Sequence, residues 1–227
     1  MRLITDYFQY YDAMFDGVGP VFYRLAFGRG GLAKREQFAL FKKLELATPP
    51  HGTVKELAAQ HPGPCVWETA LGPWWAEEIQ LVVYEDEYAH AGAGKRRMPL
   101  RRALEECPDA WASLYIPPAN RAVGFRHVRI GRVGIWLRQE GGEGEWRSNR
   151  RDEETVLECR RHGEDLPVPR ALWAIDFIPS PSGLLAVDFN TAPELATLGE
   201  SRTVGAEEIL EELTFAARQM PESLQQF

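Results

Sequence analysis

The sequence has few cysteines, and none is arranged as in a zinc site or a disulfide framework. Only Cys65, Cys107 and Cys159 occur among the 227 residues, and no two of them form a Cys-x-x-Cys pair. An odd number of widely separated thiols is typical of free cysteines in or near a protein core. The cysteines therefore predict neither structural zinc nor a disulfide-stapled fold.

The chain also lacks long apolar runs and an excess of basic residues. No segment approaches the roughly 18 apolar residues needed to span a bilayer, and residues 1–11 contain no apolar signal-peptide region. The formal net charge is −7, which disfavours broad binding to nucleic-acid phosphates. We therefore expect a cytoplasmic protein that binds no membrane, and a nucleic-acid partner is disfavoured.

Two familiar enzyme motifs are missing, the GxSxG nucleophile elbow and the HExxH zinc motif. The chain does contain seven Trp and eleven Phe, and 44% of its residues are hydrophobic. This length and apolar content are sufficient for one large domain or for two small lobes that share a cleft.

Hydrophobic periodicity predicts helices and strands in mixed order. The predicted helices cover residues 34–47, 53–60, 100–106 and 207–219. Strands are predicted at 79–84 and 111–116, at two segments around Gly131 within 123–137, and as a hairpin of 172–178 and 184–189. A loop of about five residues would close that hairpin. The strand-rich second half indicates an α+β fold rather than a regularly alternating one.

Three polar residues stand in the apolar strands of the predicted hairpin. Asp188 and Asn190 are two residues apart and therefore share one face of their strand. The hairpin would lay Asp176 beside that face. Carboxylates among buried apolar neighbours are costly unless they are paired or bind a metal, and oxygen ligands of this kind suit Mg²⁺. The alternative, an ordinary hairpin whose polar residues face solvent, stays open.

The same segment, AIDFIPSPSGLLAVDFNTAPEL at 174–195, resembles the C-terminal signature of ATP-grasp enzymes. GEWRSN at 144–149 and RHVRIG at 126–131 are similar to segments of RimK-type glutamate ligases within that superfamily. The resemblance extends in order over about 34–200 and implies an α+β fold with two lobes, whose antiparallel sheets enclose a nucleotide cleft. It implies an N-terminal extension at 1–33, an N-terminal lobe at 34–117 and a C-terminal lobe at 118–227.

The resemblance also implies roles for individual residues. Mg²⁺ or Mn²⁺ would be bound by Asp176, Asp188 and Asn190. Catalysis would involve Arg126, Arg138 and Asn149, and ATP would contact Gly92, Gly94, Lys95, Tyr115, Ile116 and Arg147. Related enzymes commonly have a lysine on the strand before the glycine loop. Tyr84 takes that place here, and Lys95, at the end of the loop His90–Lys95, is expected to substitute for it.

The leading hypothesis is an ATP-dependent carboxylate–amine ligase that acts through an acylphosphate. Its acid and amine substrates are not specified by the sequence, and an amino acid, a peptide or a protein terminus is the expected kind of acceptor. A second hypothesis is an ATP-binding or protein-interaction module of the same fold without ligase activity. A third, weaker one is a nuclease-like site with two carboxylates and a metal.

Overall fold

The computed structural model of the chain describes residues 32–60, 79–88, 94–118, 121–148, 155–160, 166 and 172–190, together with residues 207, 208, 211, 212 and 215. Three helices lie in this part of the chain, α1 (Lys34–Lys43), α2 (Val54–Gln60) and α3 (Leu100–Glu106). The strands are β1 (His51–Thr53), β2 (Gln80–Tyr84), β3 (Lys95–Pro99), β4 (Trp111–Leu114), β5 (Val123–Ile130), β6 (Val133–Glu140), β7 (Thr155–Arg160), β8 (Leu172–Ser180) and β9 (Gly183–Asn190).

These strands form two antiparallel sheets. The first sheet has the order β1-β4-β2-β3, and the second has the order β7-β6-β5-β8-β9. Sequence neighbours β5–β6 and β8–β9 pair as hairpins, while β8 also pairs with β5. The predicted α+β fold with two antiparallel-sheet lobes is therefore confirmed.

The buried apolar residues form two clusters, one mainly on each sheet, although Tyr84 of the first sheet belongs to the second cluster and Leu185 of the second sheet to the first. Val54 and Leu57 of α2 and Ala103 of α3 pack on the first sheet. Phe38 and Phe41 of α1 pack instead with residues of the second sheet, although α1 precedes both sheets in the chain. Helix α1 therefore connects the beginning of the described chain to the sheet formed by its last strands. The lobe boundaries at residues 33 and 117 stay a prediction.

Several element boundaries differ from the sequence-based expectation. Helix α1 ends at Lys43, not at residue 47, because Leu44 and Glu45 leave the helical conformation and Glu45 has a φ of 56°. The sequence pattern placed Lys95 at the end of a loop and predicted no strand at 95–99, where the structure has β3. It is an edge strand, and charged residues are typical of exposed sheet edges.

The β8–β9 hairpin is tighter than predicted. Ser180 pairs with Gly183, so that only Pro181 and Ser182 lie in the loop. Gly183 has a φ of 120°, which a residue with a side chain rarely adopts. Pro179 can lie in β8 because the pairing of β8 with its other neighbour, β5, ends at Phe177. Of the predicted helix at 207–219, only five residues are described, and all five are helical.

The β5–β6 turn contacts this C-terminal helical segment closely. Gly131 has a φ of 56°, and a Cβ atom there would lie 2.6 Å from the carbonyl oxygen of Glu212. The carboxylate of Glu212 accepts hydrogen bonds from the backbone N–H of Arg132 at 2.7 Å and from its Nε at 3.0 Å.

Replacing Gly131 by alanine is therefore expected to lower the free energy of unfolding by about 2–3 kcal/mol, from backbone strain and this overlap together. Urea denaturation followed by fluorescence measures it. The matched control is Gly144→Ala, since Gly144 has a φ of 78° but no atom within 4 Å of the added Cβ. Equal losses in the two variants would show that the Glu212 contact is unimportant.

Candidate functional site

A cleft between the two sheets is lined by half of the predicted site residues. One wall comes from β2, β3 and β4, and the other from the second sheet. The segment 115–118, which leads from one sheet to the other, closes one side. Six of the predicted site residues line it: Lys95, Tyr115, Ile116, Arg147, Asp176 and Asp188.

A row of charged side chains crosses the second sheet. Arg126 of β5 is the register partner of Asp176 of β8, and Asp176 is the partner of Asp188 of β9. Directly opposed residues point to the same face of a sheet. Arg126 holds both oxygens of Asp176, with Nε 2.6 Å from Oδ1 and Nη2 3.0 Å from Oδ2. This bidentate arrangement fixes the Asp176 carboxylate.

A β-bulge brings the two carboxylates opposite each other. The tight turn pairs Phe177 with Ala186, so regular pairing would place Val187 opposite Asp176. The register shifts by one residue between Asp176 and Phe177, and Asp188 takes that position instead. Bulges re-aim side chains in this way and occur often beside functional sites.

Lys34 and Lys95 hold the Asp188 carboxylate from two different elements. The ammonium of Lys34, at the first turn of α1, bonds to Oδ1 of Asp188. Its other partners are Oε1 of Gln37 at 3.0 Å and the carbonyl oxygen of Val187, the bulge residue, at 3.3 Å. Lys95 Nζ lies 3.4 Å from Oδ2 of Asp188. Both carboxylate oxygens of Asp188 therefore face an ammonium group.

Lys34 is only 1% exposed, which is unusual for a lysine. Gln37 supports it from one turn further along α1. The Gln37 Oε1 atom also accepts from the backbone N–H of Phe189 at 3.0 Å, and its Nε2 donates to the carbonyl of Leu32 at 2.8 Å. Gln37 thus fastens α1 to β9 and fixes the acceptor that Lys34 uses.

Burial and charge shift the pKa values of this cluster in opposite directions. Burial lowers the pKa of Lys34 to about 8, and the charge of Asp188 offsets only part of that effect. For Asp188, burial raises the pKa, but Lys34 and Lys95 outweigh it and hold the pKa well below its usual range. Burial lowers the pKa of Lys95, but Asp188 and Tyr84 outweigh burial and the net pKa is raised. Asp188 is therefore ionised at neutral pH, with two cations beside it.

Lys95 is placed differently from the expectation. It begins strand β3 rather than lying in a loop, and it is the direct register partner of Tyr84 on β2. Its ammonium lies 5.9 Å from the centre of the Tyr84 ring, and that of Lys34 lies 5.5 Å from it. The Tyr84 hydroxyl contacts Oγ of Ser113 at 3.2 Å. Lys95 thus lies directly across from Tyr84, the strand position at which the ATP-grasp enzymes that the sequence resembles commonly have a lysine.

Aromatic and basic side chains surround the segment that joins the sheets. Tyr115 and Trp146 contact edge to face, with ring centroids 6.1 Å apart. The Arg97 guanidinium lies 4.9 Å from the Tyr115 ring centre and donates to its hydroxyl at 3.2 Å. Arg147 pairs with Glu145 at 3.1 Å. The Tyr115 backbone N–H already donates to Gln80 O at 3.0 Å, so it is engaged within the first sheet.

Besides Arg126, five of the predicted residues remain, and the structure describes three of them. Arg138 is registered with Phe125 and therefore points away from the face that carries Arg126; it donates to Glu140 at 3.3 Å. Asn190 follows Asp188 by two residues on the edge strand β9. The carbonyl of Gly94 accepts the backbone N–H of Glu85 at 2.8 Å. Gly92 and Asn149 lie outside the described residues.

Sequence reasoning missed Lys34, and a signal for it exists. Lys34, Gln37, Phe38 and Phe41 follow the i, i+3, i+4, i+7 spacing of a buried helical stripe, and all four are buried. A lysine in such a stripe needs an anionic partner, because an unpaired buried ammonium is costly. That partner, Asp188, is 154 residues away in sequence, so the stripe predicts a partner without identifying it.

The oxygen-bearing side chains of this cluster are of the kind that bind a magnesium-like ion. Asp176 and Asp188 face each other, and Asn190 adds an amide oxygen on the same strand; oxygen ligands of this kind fit Mg²⁺ and Mn²⁺. No group of three His, Cys, Asp or Glu side chains that could hold a metal occurs within the described residues. A metal here would therefore depend on two carboxylates, with other oxygens completing its shell.

Comparisons with known proteins return solved structures only. No protein-family model matches the chain, and no curated protein matches it. D-alanine–D-alanine ligase from Bacillus anthracis complexed with ATP is similar with a TM-score of 0.48 and 11% identity, over 84% of this chain and 67% of that one. Macrocyclase MdnC bound with precursor peptide MdnA, from Microcystis aeruginosa MRC, gives a TM-score of 0.45 and 13% identity, over 80% and 59%.

Carboxyaminoimidazole ribonucleotide synthase from Aspergillus clavatus, complexed with ATP, gives a TM-score of 0.43 and 12% identity, over 76% of this chain and 47% of that one. The chain thus spans 47–67% of the length of these three proteins. Among the described residues, no helix is long and apolar enough to cross a membrane.

Proposed function

We propose that this chain is an ATP-dependent carboxylate–amine ligase of the ATP-grasp type, similar to the RimK group. The observation that carries the proposal is the cleft between two antiparallel sheets. Its walls bring Lys95 from the first sheet to Asp176 and Asp188 of the second. Phosphoryl transfer needs little covalent help from a protein, and positioning with charge neutralisation supplies most of the catalysis.

In the proposed reaction, a substrate carboxylate attacks the γ-phosphorus of ATP, and ADP leaves. The resulting acylphosphate is attacked by an amine, which forms an amide and releases inorganic phosphate. Asp176, Asp188 and Asn190 would hold Mg²⁺ or Mn²⁺, which neutralises phosphate charge when bound. Lys34, Lys95 and Arg126 are the nearby cations that would bind phosphate oxygens.

The base and sugar would occupy the side of the cleft near Tyr115 and Ile116, with Arg147 beside them. Gly92, Gly94 and Asn149 keep the roles implied by the resemblance as predictions. Arg138 points away from the face that carries Arg126 and has no role in the proposed reaction. We expect the acceptor to be an amino acid, a peptide or a protein terminus.

Replacing Asp188 by alanine is expected to abolish Mg²⁺-dependent ATP binding, because it removes the acidic group at the centre of the cluster. Isothermal calorimetry with MgATP measures this binding. Asp109→Ala is the matched control, since Asp109 is 77% exposed and pairs only with exposed Lys55 in the described structure. Wild-type affinity in Asp188→Ala, with the Asp109→Ala control also unchanged, would reject the metal assignment.

The alternative is an ATP-binding or protein-interaction module without ligase activity. The observation that favours it is that all four oxygens of Asp176 and Asp188 already face cationic nitrogens. Coupled assays of ADP release, run with panels of amino acids and peptides, separate the two. Tight ATP binding without ADP release for any acceptor would support the module, whereas acceptor-dependent ADP release supports the ligase.

A further inference from the structure

The Asp188 carboxylate has two ammonium partners where one would neutralise it. Lys34 bonds to Oδ1 from α1, and Lys95 approaches Oδ2 from β3. With Arg126 on Asp176, three cations face these two carboxylates. Positive charge beside these oxygens opposes the binding of a divalent cation there.

Lys34 keeps two hydrogen-bond acceptors when Asp188 is withdrawn. An ammonium has three N–H donors, and those of Lys34 are matched by Gln37 Oε1, Val187 O and Asp188 Oδ1. The first two acceptors belong to α1 and to the bulge backbone, so they stay in place if Asp188 binds something else. The third donor can then bind an anion that takes the place of the Asp188 carboxylate.

We propose that Lys34 and Lys95 are displaceable counter-ions of Asp188 that compete with the divalent cation while the cleft holds no polyphosphate. A metal can bind Asp188 only when these ammonium groups are released, and a polyphosphate chain accepts them. Metal and polyphosphate therefore strengthen each other's binding through the protein itself, beyond any direct contact between them. Such linkage is reciprocal by thermodynamic necessity. This inference rests on the proposed function of the site.

The first test is Mn²⁺ binding by electron paramagnetic resonance, without nucleotide. Lys34→Met keeps the buried stem but removes the charge, and it is expected to bind Mn²⁺ about tenfold more tightly than the wild type, because a nearby like charge is removed. Lys95→Met is expected to act in the same direction. Lys42→Met is the matched control, since Lys42 is exposed in the last turn of the same helix; its Mn²⁺ affinity should equal that of the wild type.

The second test is binding of inorganic tripolyphosphate in the presence of EDTA. The wild type should bind it, and Lys34→Met and Lys95→Met should each bind it about tenfold more weakly, since each loses a cation at the phosphate position. Stronger Mn²⁺ binding with weaker tripolyphosphate binding in one variant supports the counter-ion role. A merely structural role for the lysines would not move the two affinities in opposite directions.

Mn²⁺ affinities in both lysine variants within twofold of the wild type would overturn the inference. If the wild type and both variants fail to bind Mn²⁺, the inference falls as well. One outcome would reject the counter-ion role but not the proposed function. In it, Asp188→Ala loses Mg²⁺-dependent ATP binding, whereas the lysine variants bind Mn²⁺ with the affinity of the wild type. Circular dichroism checks folding; if Lys34→Met does not fold, Lys95→Met decides, because Lys95 lies on an edge strand.

Discussion

The Asp188→Asn variant is expected to lose about 2–4 kcal/mol of unfolding free energy in metal-free buffer. Removing one partner of a buried ion pair typically costs about 3–5 kcal/mol, because the remaining charge stays buried without compensation. Here that charge is Lys34, which is 1% exposed, whereas the side chain of Asp188 is 24% exposed. The partial exposure of Asp188 lowers the expected loss. Chemical denaturation followed by tryptophan fluorescence measures it.

A double variant makes this prediction sharper. Lys34→Met combined with Asp188→Asn removes the buried charge as well as its partner, so we expect it to be more stable than Asp188→Asn alone. The control is Asp109→Asn, whose exposed pair with Lys55 should leave the free energy of unfolding close to that of the wild type. A double variant less stable than Asp188→Asn would mean that the hydrogen bonds of Lys34 to Gln37 and Val187 outweigh the cost of its uncompensated charge.

The hairpin pattern was sufficient to predict that Asp176 and Asp188 lie side by side, because a hairpin is a local structure. Its details were not predictable in the same way. The expected loop was too long, and the two carboxylates oppose each other only because a bulge at Val187 corrects the register set by the tight turn. No residue pattern in this segment indicates the length of the turn or the presence of the bulge.

Contacts between distant segments account for the rest of what the sequence did not predict. Lys34 meets Asp188 across the interface of α1 and β9, and the interaction depends on the packing of the whole helix. For Arg138, it was the direction of the side chain that the sequence did not predict. The resemblance implied a catalytic role for it together with Arg126, but its register with Phe125 turns it to the other face of the sheet. Side-chain direction follows from register, which periodicity in one strand does not determine.

Strand β3 was missed because its sequence, KRRMP, has none of the alternation that predicts a strand. Its only buried side chain is that of Met98, which joins the cluster of the first sheet. The strand is held by pairing with β2, whose apolar sequence was recognised. Lys95 consequently lies on a sheet rather than in a flexible loop, and its position toward Asp188 is fixed by backbone pairing.

Helix α1 carries both Lys34 and Gln37, so its anchoring is expected to control the charged cluster. Phe41 is fully buried and contacts Phe38 and Phe189, with ring centroids 6.0 and 6.4 Å away. Phe41→Ala is expected to lower the free energy of unfolding by about 3–5 kcal/mol, as burial of the ring is lost and a cavity remains. Lys42→Ala, at the exposed neighbouring position, should change it by less than about 0.5 kcal/mol.

The same Phe41→Ala variant should also weaken ATP binding under conditions where it is still folded, because Lys34 depends on α1 for its position against β9. Calorimetry at a temperature well below the unfolding transition measures this effect, with Lys42→Ala again as the control. A variant that is destabilised but binds ATP like the wild type would show that the phosphate-binding cations are positioned independently of α1. In that case Lys95, held by the pairing of β3 with β2, would be the cation that matters for the nucleotide.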